Sequence, residues 1–159
     1  EMCIRDSALM MLMTAATAAV AQKEHDFATH FTATADKEDR LTCRTVSPQM
    51  MERIMQLKED ETDDDLRRVL AQIKSIRIVT ADDEDARKGL YARAGRLAGK
   101  NARRYRPYAQ TDDTTVYARR RGKYIVEIVV MSFKDNRHFS LIDMTGNMTE
   151  DFISQLMKL

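Results

Sequence analysis

Apolar and polar residues follow two different periods along this chain, and the changes of period predict its elements. Between residues 47 and 105, apolar side chains mostly recur every three to four positions, the spacing of helices that bury one face. Residues 41–46 and 73–80 show instead the two-residue alternation of strands. After Pro107 alternation dominates, with turn residues at 111–114, 121–123 and 134–137. The pattern therefore predicts a helix-rich first part and a run of antiparallel strands after it.

Capping residues indicate where the predicted helices begin. Ser47 precedes Pro48, and a serine N-cap followed by proline at the first helical position is a typical helix start. Thr62 is followed by three aspartates, and a second acidic run at residues 82–85 opens the longest predicted helix, which reaches about Tyr105. Negative charge is favourable near a helix N-terminus. Phe27 and Phe31, four residues apart, indicate one more short helix near the start of the chain.

The end of the chain completes the predicted fold. Gly146-Asn147 is expected to end the last strand at Thr145, and Thr149 is placed to cap a final helix. The predicted order is α-β-α-α-β-α-β-β-β-β-α. We therefore expect an α+β two-layer sandwich: a mostly antiparallel sheet with a C-terminal β-meander, packed against helices and followed by a C-terminal helix.

The first twenty-one residues have the pattern of an export signal. Residues 8–21 carry no charge and end in Ala19-Val20-Ala21. An apolar run of about 7–15 residues followed by an A-x-A site is typical of a secretory signal peptide, whereas about 20 residues are needed to span a bilayer. We predict a signal peptide over residues 1–21, a periplasmic or cell-envelope location, and no transmembrane span in the mature chain. Residues 1–7 resemble a translated sequencing adapter. No cysteine follows the apolar run, which predicts no lipid anchor.

The remaining 138 residues have the size of one compact domain. We divide them into a polar N-terminal segment, residues 22–40, that holds the short helix, and a single α+β domain over residues 41–159. Cys43 is the one cysteine beyond the leader, so no internal disulfide can form. A lone thiol in an oxidising compartment is expected to be buried, and a bridge between two chains is the alternative.

Three apolar patterns carry a family resemblance. They are Ser47-Pro48-Gln49-Met50-Met51 after a strand, the strand IKSIRIVT at residues 73–80, and Gly146-Asn147-Met148-Thr149-Glu150 before the last helix. With the long helix and the meander, these patterns resemble domain-of-unknown-function family 4252, an exported family found mainly in Bacteroidetes. The similarity runs from about Phe27 to the C-terminus. It implies the fold and export, and it carries no catalytic residue.

The usual motifs of catalysis and metal binding are absent from the sequence. There is no G-x-S-x-G, no Walker-type glycine loop and no calcium loop. His25 and His30 are five residues apart, where a helical zinc pair needs four, and His138 is expected at the surface. Methionines 50, 51 and 55 are expected to fill the core and not to bind Cu(I). We predict no catalytic residue, no metal site and no cofactor.

Basic residues form the strongest candidate site. They occupy one predicted hairpin and the end of the longest helix: Arg119, Arg120, Arg121 and Lys123, then Arg103, Arg104 and Arg106. Guanidinium groups bind phosphate or carboxylate through paired hydrogen bonds, and Tyr117 and Tyr124 flank the hairpin. Alternatively, these arginines pair with the protein's own acidic runs at residues 59–65 and 82–85.

Three functions remain open at this level. The first is a non-enzymatic envelope domain that acts through contacts with an unknown envelope protein. The second is an anion-binding module that uses the basic hairpin, residues 119–123, to bind a lipid headgroup, a glycan or an acidic partner, with nucleic acid disfavoured by export. The third is a small hydrolase with an unrecognised site.

Overall fold

The computed structural model describes residues 25–36, 39–57, 64–83, 85–133 and 138–156. The predicted signal peptide, with its cleavage site and residues 1–7, lies outside the described residues. The acidic run at residues 59–65 is described only from Asp64 onward.

In the described ranges, eleven elements follow one another in the order that the sequence predicts. The helices and strands are α1 (Phe27–Ala33), β1 (Thr42–Val46), α2 (Pro48–Leu57), α3 (Asp64–Leu70), β2 (Ile73–Ala81), α4 (Arg87–Lys100), β3 (Arg106–Gln110), β4 (Thr114–Arg121), β5 (Tyr124–Ser132), β6 (Phe139–Met148) and α5 (Glu150–Leu156). The α+β sandwich with a C-terminal meander and a final helix is thus confirmed.

All six strands form one sheet in the order β1-β2-β6-β5-β4-β3, and every neighbouring pair is antiparallel. Strands β3 to β6 make the meander, since each pairs with the next along the chain. Strand β2 pairs with β6 on the far side, and β1 extends the sheet beyond β2. Strands β5 and β6 therefore lie at the centre, where the apolar run of β5 predicts a strand buried on both sides.

Helices cover both faces of this sheet. On one face α1 and α4 pack on a buried cluster that includes Val79, Val129 and Leu141. On the other face a second cluster joins α2 and α5 to the sheet through Met51, Phe152, Ile125, Ile128 and Met148. Helices therefore pack on each face of the sheet.

Helix α1 belongs to the first of these clusters. Phe27 and Phe31 are buried, as their spacing predicts, with Phe31 against Phe139 and Phe27 against Tyr105. Asp26 caps the helix by accepting the Thr29 N–H at 2.8 Å. The short helix in the polar N-terminal segment is therefore part of the packed core.

The longest helix is shorter than predicted at both ends. Helix α4 starts at Arg87, because the carboxylate of Asp83 accepts the N–H groups of Asp85 and Ala86 in a turn ahead of it. It ends at Lys100, after which Arg104 N–H bonds to the Asn101 carbonyl at 2.8 Å in a tight turn. The acidic run thus precedes the helix, and Arg103 and Arg104 follow it.

Gly146 continues the last strand and does not end it. Strand β6 runs to Met148, and the Asn147 N–H donates to the Gln72 carbonyl at 3.0 Å. A Cβ atom at position 146 would lie 2.0 Å from that carbonyl oxygen. The glycine serves the close approach of two backbones, which a sequence pattern does not distinguish from a strand end.

Within the described residues, no helix is long and apolar enough to cross a membrane.

Candidate functional site

The hairpin between β4 and β5 carries three of the predicted site residues at one end of the sheet. Gly122 has φ of 60°, the left-handed conformation that tight hairpin turns need and that glycine adopts without strain. The turn sets Arg121 opposite Tyr124. A register shift between Arg119 and Arg120 changes the regular alternation of neighbouring side chains.

The chain between α4 and β3 brings the remaining arginines to the same end. After the turn at residues 101–104, β3 begins with Arg106 opposite Ala118 of β4. The chain that follows α4 is thereby held beside the end of β4.

Six arginines line one surface cavity of about 460 Å³, which we call the arginine groove. Its lining consists of Arg103, Arg104, Arg106, Arg119, Arg120 and Arg121 with Ala118. Lys123, the seventh predicted residue, is not part of the lining; its ammonium lies 5.2 Å from the centre of the Tyr124 ring. The structure therefore brings together six of the seven residues.

Two of these arginines have carboxylate partners within the protein. Arg119 Nε lies 2.6 Å from Glu127 Oε2, and Arg120 forms an ion pair with Glu150. The hydrogen bond from Arg120 lowers the pKa of Glu150. Neither partner belongs to the acidic runs at 59–65 and 82–85, and Asp82 and Asp83 follow β2 at the opposite end of the sheet.

Arg103 and Arg106 are exposed and form no ion pair with a residue that the structure describes. Arg121 is exposed as well. Arg103 and Arg106 thus add positive charge to the groove that no carboxylate of the described residues pairs with. An excess of fixed positive charge in a concave site favours binding of an anion.

Two buried carboxylates lie behind the groove, and we call this pair the acid seat. Glu127 of β5 is fully buried, and its carboxylate accepts hydrogen bonds from three donors. They are the Phe27 N–H at 2.6 Å, the Tyr105 hydroxyl at 3.1 Å and the Arg119 Nε–H at 2.6 Å. Glu127 thus holds the first residue of α1 and one groove arginine at the same time.

Asp143 of β6 is the second member of the acid seat. It is 1% exposed, and its Oδ2 accepts the Ala28 N–H at 2.7 Å. Burial, together with the negative charge of Glu127, raises the pKa of Asp143 to about 8. The neighbouring Arg77 pairs with Asp26 at 3.0 Å, so charged groups surround the beginning of α1.

The acid seat was not predicted from the sequence. Glu127 interrupts the apolar run of β5, and that interruption is the one signal that could have identified it. Its partner Phe27 lies 100 residues away, and Ala28 lies 115 residues from Asp143. A paired carboxylate with a raised pKa can serve as a general acid, but both carboxylates are nearly inaccessible to solvent. Their geometry indicates a role in holding α1.

The remaining candidates of the sequence analysis lie apart from the groove. Cys43 is exposed, and the expectation of a buried thiol is wrong because β1 is an edge strand with nearly all positions exposed. His138 is at the surface with its Nδ1 3.4 Å from Asp82. Met51 is buried, whereas Met50 is half exposed. Among the described residues no group of three His, Cys, Asp or Glu could hold a metal ion.

Comparison with known proteins identifies the family. The family described as "Domain of unknown function (DUF4252)" matches residues 35–156. The chain belongs to this family. The match covers β1 to α5, and the DUF4252 region therefore contains the whole sheet and the arginine groove, while α1 precedes it. No curated protein and no solved structure matches the chain.

Proposed function

We propose that this protein is an exported, non-enzymatic domain that binds the anionic groups of another cell-envelope component in the arginine groove. The observation that carries the proposal is the convergence of two separate basic segments, the end of α4 with the start of β3 and the end of β4, on one cavity. Guanidinium groups arranged around a concavity suit phosphate and carboxylate, since each can donate two parallel hydrogen bonds.

The charge balance of the groove supports ligand binding over a purely internal role. The carboxylates of Glu127 and Glu150 offset the charges of two groove arginines, Arg119 and Arg120. Arg103 and Arg106 are exposed and have no such ion pair among the described residues. Like charges held close together repel one another, so an anion that enters the groove relieves this repulsion.

The non-enzymatic part of the proposal is supported by the state of the titratable groups. The carboxylate with the strongly raised pKa, Asp143, is buried beneath α1 and does not line the groove. The side chains that line the groove are arginines and one alanine, which supply binding but no general base at neutral pH. Export is supported by the uncharged run and the A-x-A site of residues 8–21.

A titration with tripolyphosphate, a soluble molecule with several anionic groups, tests the proposal. The variant Arg103→Ala/Arg106→Ala/Arg121→Ala removes exposed arginines of the groove and leaves the Arg119–Glu127 contact in place. A matched control, Arg44→Ala/Lys88→Ala/Arg96→Ala, removes the same charge from exposed positions elsewhere. Isothermal titration calorimetry on the three proteins compares their affinities.

We expect the parent and the control to bind, and the groove variant to bind at least about tenfold more weakly. A hydrogen bond to a charged group contributes roughly 1.5 kcal/mol or more, and 1.4 kcal/mol corresponds to a factor of ten. Equal affinity of the groove variant and the parent would overturn the proposal, as would a parent protein that binds neither tripolyphosphate nor vesicles of anionic lipid.

A further inference from the structure

We infer that the partner of the arginine groove is the surface of an anionic phospholipid bilayer, on which the protein lies with one end of its sheet. The inference rests on the proposed function, since it names the carrier of the anionic groups that the groove binds. Three independent features of the described residues support it: the position of the basic residues, two exposed tyrosines and the distribution of charge between the ends of the sheet.

The basic residues occupy one end of the molecule. Antiparallel pairing places the end of β4, the start of β5 and the start of β3 together, as the pairs Arg121–Tyr124 and Arg106–Ala118 show. The turn after α4 adds Arg103 to the same end, and Lys123 occupies the hairpin tip. We call this region the basic end. A surface of lipid headgroups can contact all of its exposed cations at once, which a single small anion cannot.

Exposed aromatic rings flank the groove at the basic end. The large hydrophobic side chains that are exposed in the described chain are Met50, Tyr108 and Tyr124. Tyr124 is 40% exposed at the hairpin, and Tyr108, at 37%, donates its hydroxyl to Glu150, the partner of Arg120. Tyrosine has an apolar ring and a polar tip, which suits the boundary between headgroups and acyl chains.

Acidic groups are not absent from the basic end, but they are outnumbered. Glu150 and Asp151 begin α5 there, and Glu150 is already paired with Arg120. Glu127 is buried and paired with Arg119. Because burial and pairing reduce the effect of these carboxylates, the electrostatic potential at the surface of the basic end is positive.

Among the described residues, the opposite end of the sheet is rich in acidic side chains. Five aspartates lie there, in the segment after β2 and in the turn between β3 and β4: Asp82, Asp83, Asp85, Asp112 and Asp113. Arg87 and Lys88, in the first turn of α4, offset them in part. A molecule with such separated charge is oriented by an extended charged plane, with its basic end toward an anionic bilayer. This favours a membrane over a compact soluble anion.

Sedimentation with lipid vesicles tests the inference. Vesicles of equal parts phosphatidylglycerol and phosphatidylcholine are compared with vesicles of phosphatidylcholine alone. We expect the protein to bind the anionic vesicles and not the neutral ones. Binding should be lost when NaCl is raised from about 0.1 M to about 1 M, because the Debye length falls from about 10 Å to about 3 Å.

The groove variants locate the bound surface. Arg103→Ala/Arg106→Ala/Arg121→Ala should bind anionic vesicles on the order of 100-fold more weakly, because each basic residue near an anionic surface contributes roughly fivefold. The charge-matched control Arg44→Ala/Lys88→Ala/Arg96→Ala should bind within about fivefold of the parent by the same reasoning. If far-ultraviolet circular dichroism shows that the triple variant is misfolded, Arg103→Ala/Arg106→Ala replaces it, with an expected loss on the order of 20-fold.

A fluorescence experiment tests the position of Tyr124. The chain contains no tryptophan, so Tyr124→Trp introduces a single reporter. Its emission should shift to the blue with anionic vesicles and should not shift with phosphatidylcholine vesicles. Phe133→Trp places the control reporter just after β5, at the opposite end of the sheet, where vesicles should leave the emission unchanged.

The outcomes separate this inference from the proposed function. Binding of tripolyphosphate without binding of anionic vesicles overturns the bilayer inference and leaves the proposed function intact. The same holds if polyglutamate, a soluble acidic polypeptide, binds and vesicles do not. Vesicle binding that the groove variant retains, or a blue shift of the Phe133 reporter in place of the Tyr124 reporter, also overturns the inference. Failure to bind tripolyphosphate and vesicles alike overturns both.

Discussion

The arginine groove and the acid seat are adjacent, and they treat charge in opposite ways. In the groove, Arg103 and Arg106 keep their guanidinium groups in water at the rim of a cavity. In the acid seat, Glu127 and Asp143 are buried, and each accepts a hydrogen bond from a backbone N–H group of α1. Arg119 belongs to both regions, since it lines the groove and contacts Glu127. Exposed charged groups are thus available to bind a ligand, whereas buried ones stabilise the fold.

Energetics explain why the two regions should respond differently to substitution. Surface charges contribute little to stability because water screens them. Removal of one member of a buried pair leaves the other charge uncompensated in a poorly solvated site. The same number of altered charges should therefore change binding in the groove and stability in the acid seat.

The largest effect on stability is expected for Glu127→Gln. The amide nitrogen would face a donor, the Arg119 Nε–H or the Phe27 N–H, and Arg119 would no longer contact a charged carboxylate at position 127. We expect a loss of about 3 kcal/mol in the free energy of unfolding, measured by urea denaturation. Glu150→Gln, which alters an exposed pair with Arg120, is the control and should cost less than about 1 kcal/mol. Similar losses for both variants would contradict the distinction between the regions.

The next effect concerns pH and Asp143. Its pKa of about 8 in the folded protein exceeds the usual 3.8, so the folded protein retains a proton that the unfolded chain has released between about pH 4 and pH 8. Stability therefore falls as the pH rises through this window. Asp143→Asn cannot release the proton, and it should lose this part of the slope and gain stability relative to the parent toward pH 8.

Thermal denaturation at a series of pH values between 5 and 8 measures this slope. Asp151→Asn, an exposed aspartate of α5, is the control and should retain the slope of the parent. A parent protein whose stability rises between these pH values, or an Asp143→Asn variant with an unchanged slope, would show that Asp143 is ionised in the folded protein.

The smallest effect on stability is expected for the groove. Arg103→Ala/Arg106→Ala/Arg121→Ala should change the free energy of unfolding by no more than about 1.5 kcal/mol, because surface substitutions are usually within ±0.5 kcal/mol each. The same urea denaturation measures it. A loss of unfolding free energy as large as that of Glu127→Gln would mean that these arginines stabilise the fold, which contradicts a role in ligand binding alone.

The sequence predicts the two regions to different degrees, for a physical reason. The groove is built from local runs of like charge, and short-range signals place them: a turn at residues 121–123 and the end of an amphipathic helix. The acid seat depends on contacts between α1 and the centre of the sheet, which lie 100 and 115 residues apart along the chain. Periodicity identified β5 as a central strand but contains no information about which donor will reach Glu127.

Errors in the predicted elements have two origins. The bounds predicted for α4 are wrong because two turns compete with helix formation, one closed by the Asp83 side chain before the helix and one by the Asn101 carbonyl after it. Gly146 was expected to end a strand, whereas it permits the backbone of Gln72 to approach β6. At α4 local turns thus override the helical preference, whereas at Gly146 a contact between segments distant along the chain decides the outcome.

A two-dimensional ¹⁵N NMR titration with tripolyphosphate tests the proposal that the arginine groove binds anions, because it reports both whether the anion binds and where. We expect shifts confined to the end of α4, the start of β3 and the β4–β5 hairpin, around Arg103, Arg106 and Arg121. Resonances after β2 and in the β3–β4 turn, at the opposite end of the sheet, should not move. Shifts that are absent from the arginine groove, or spread equally over both ends, would contradict it.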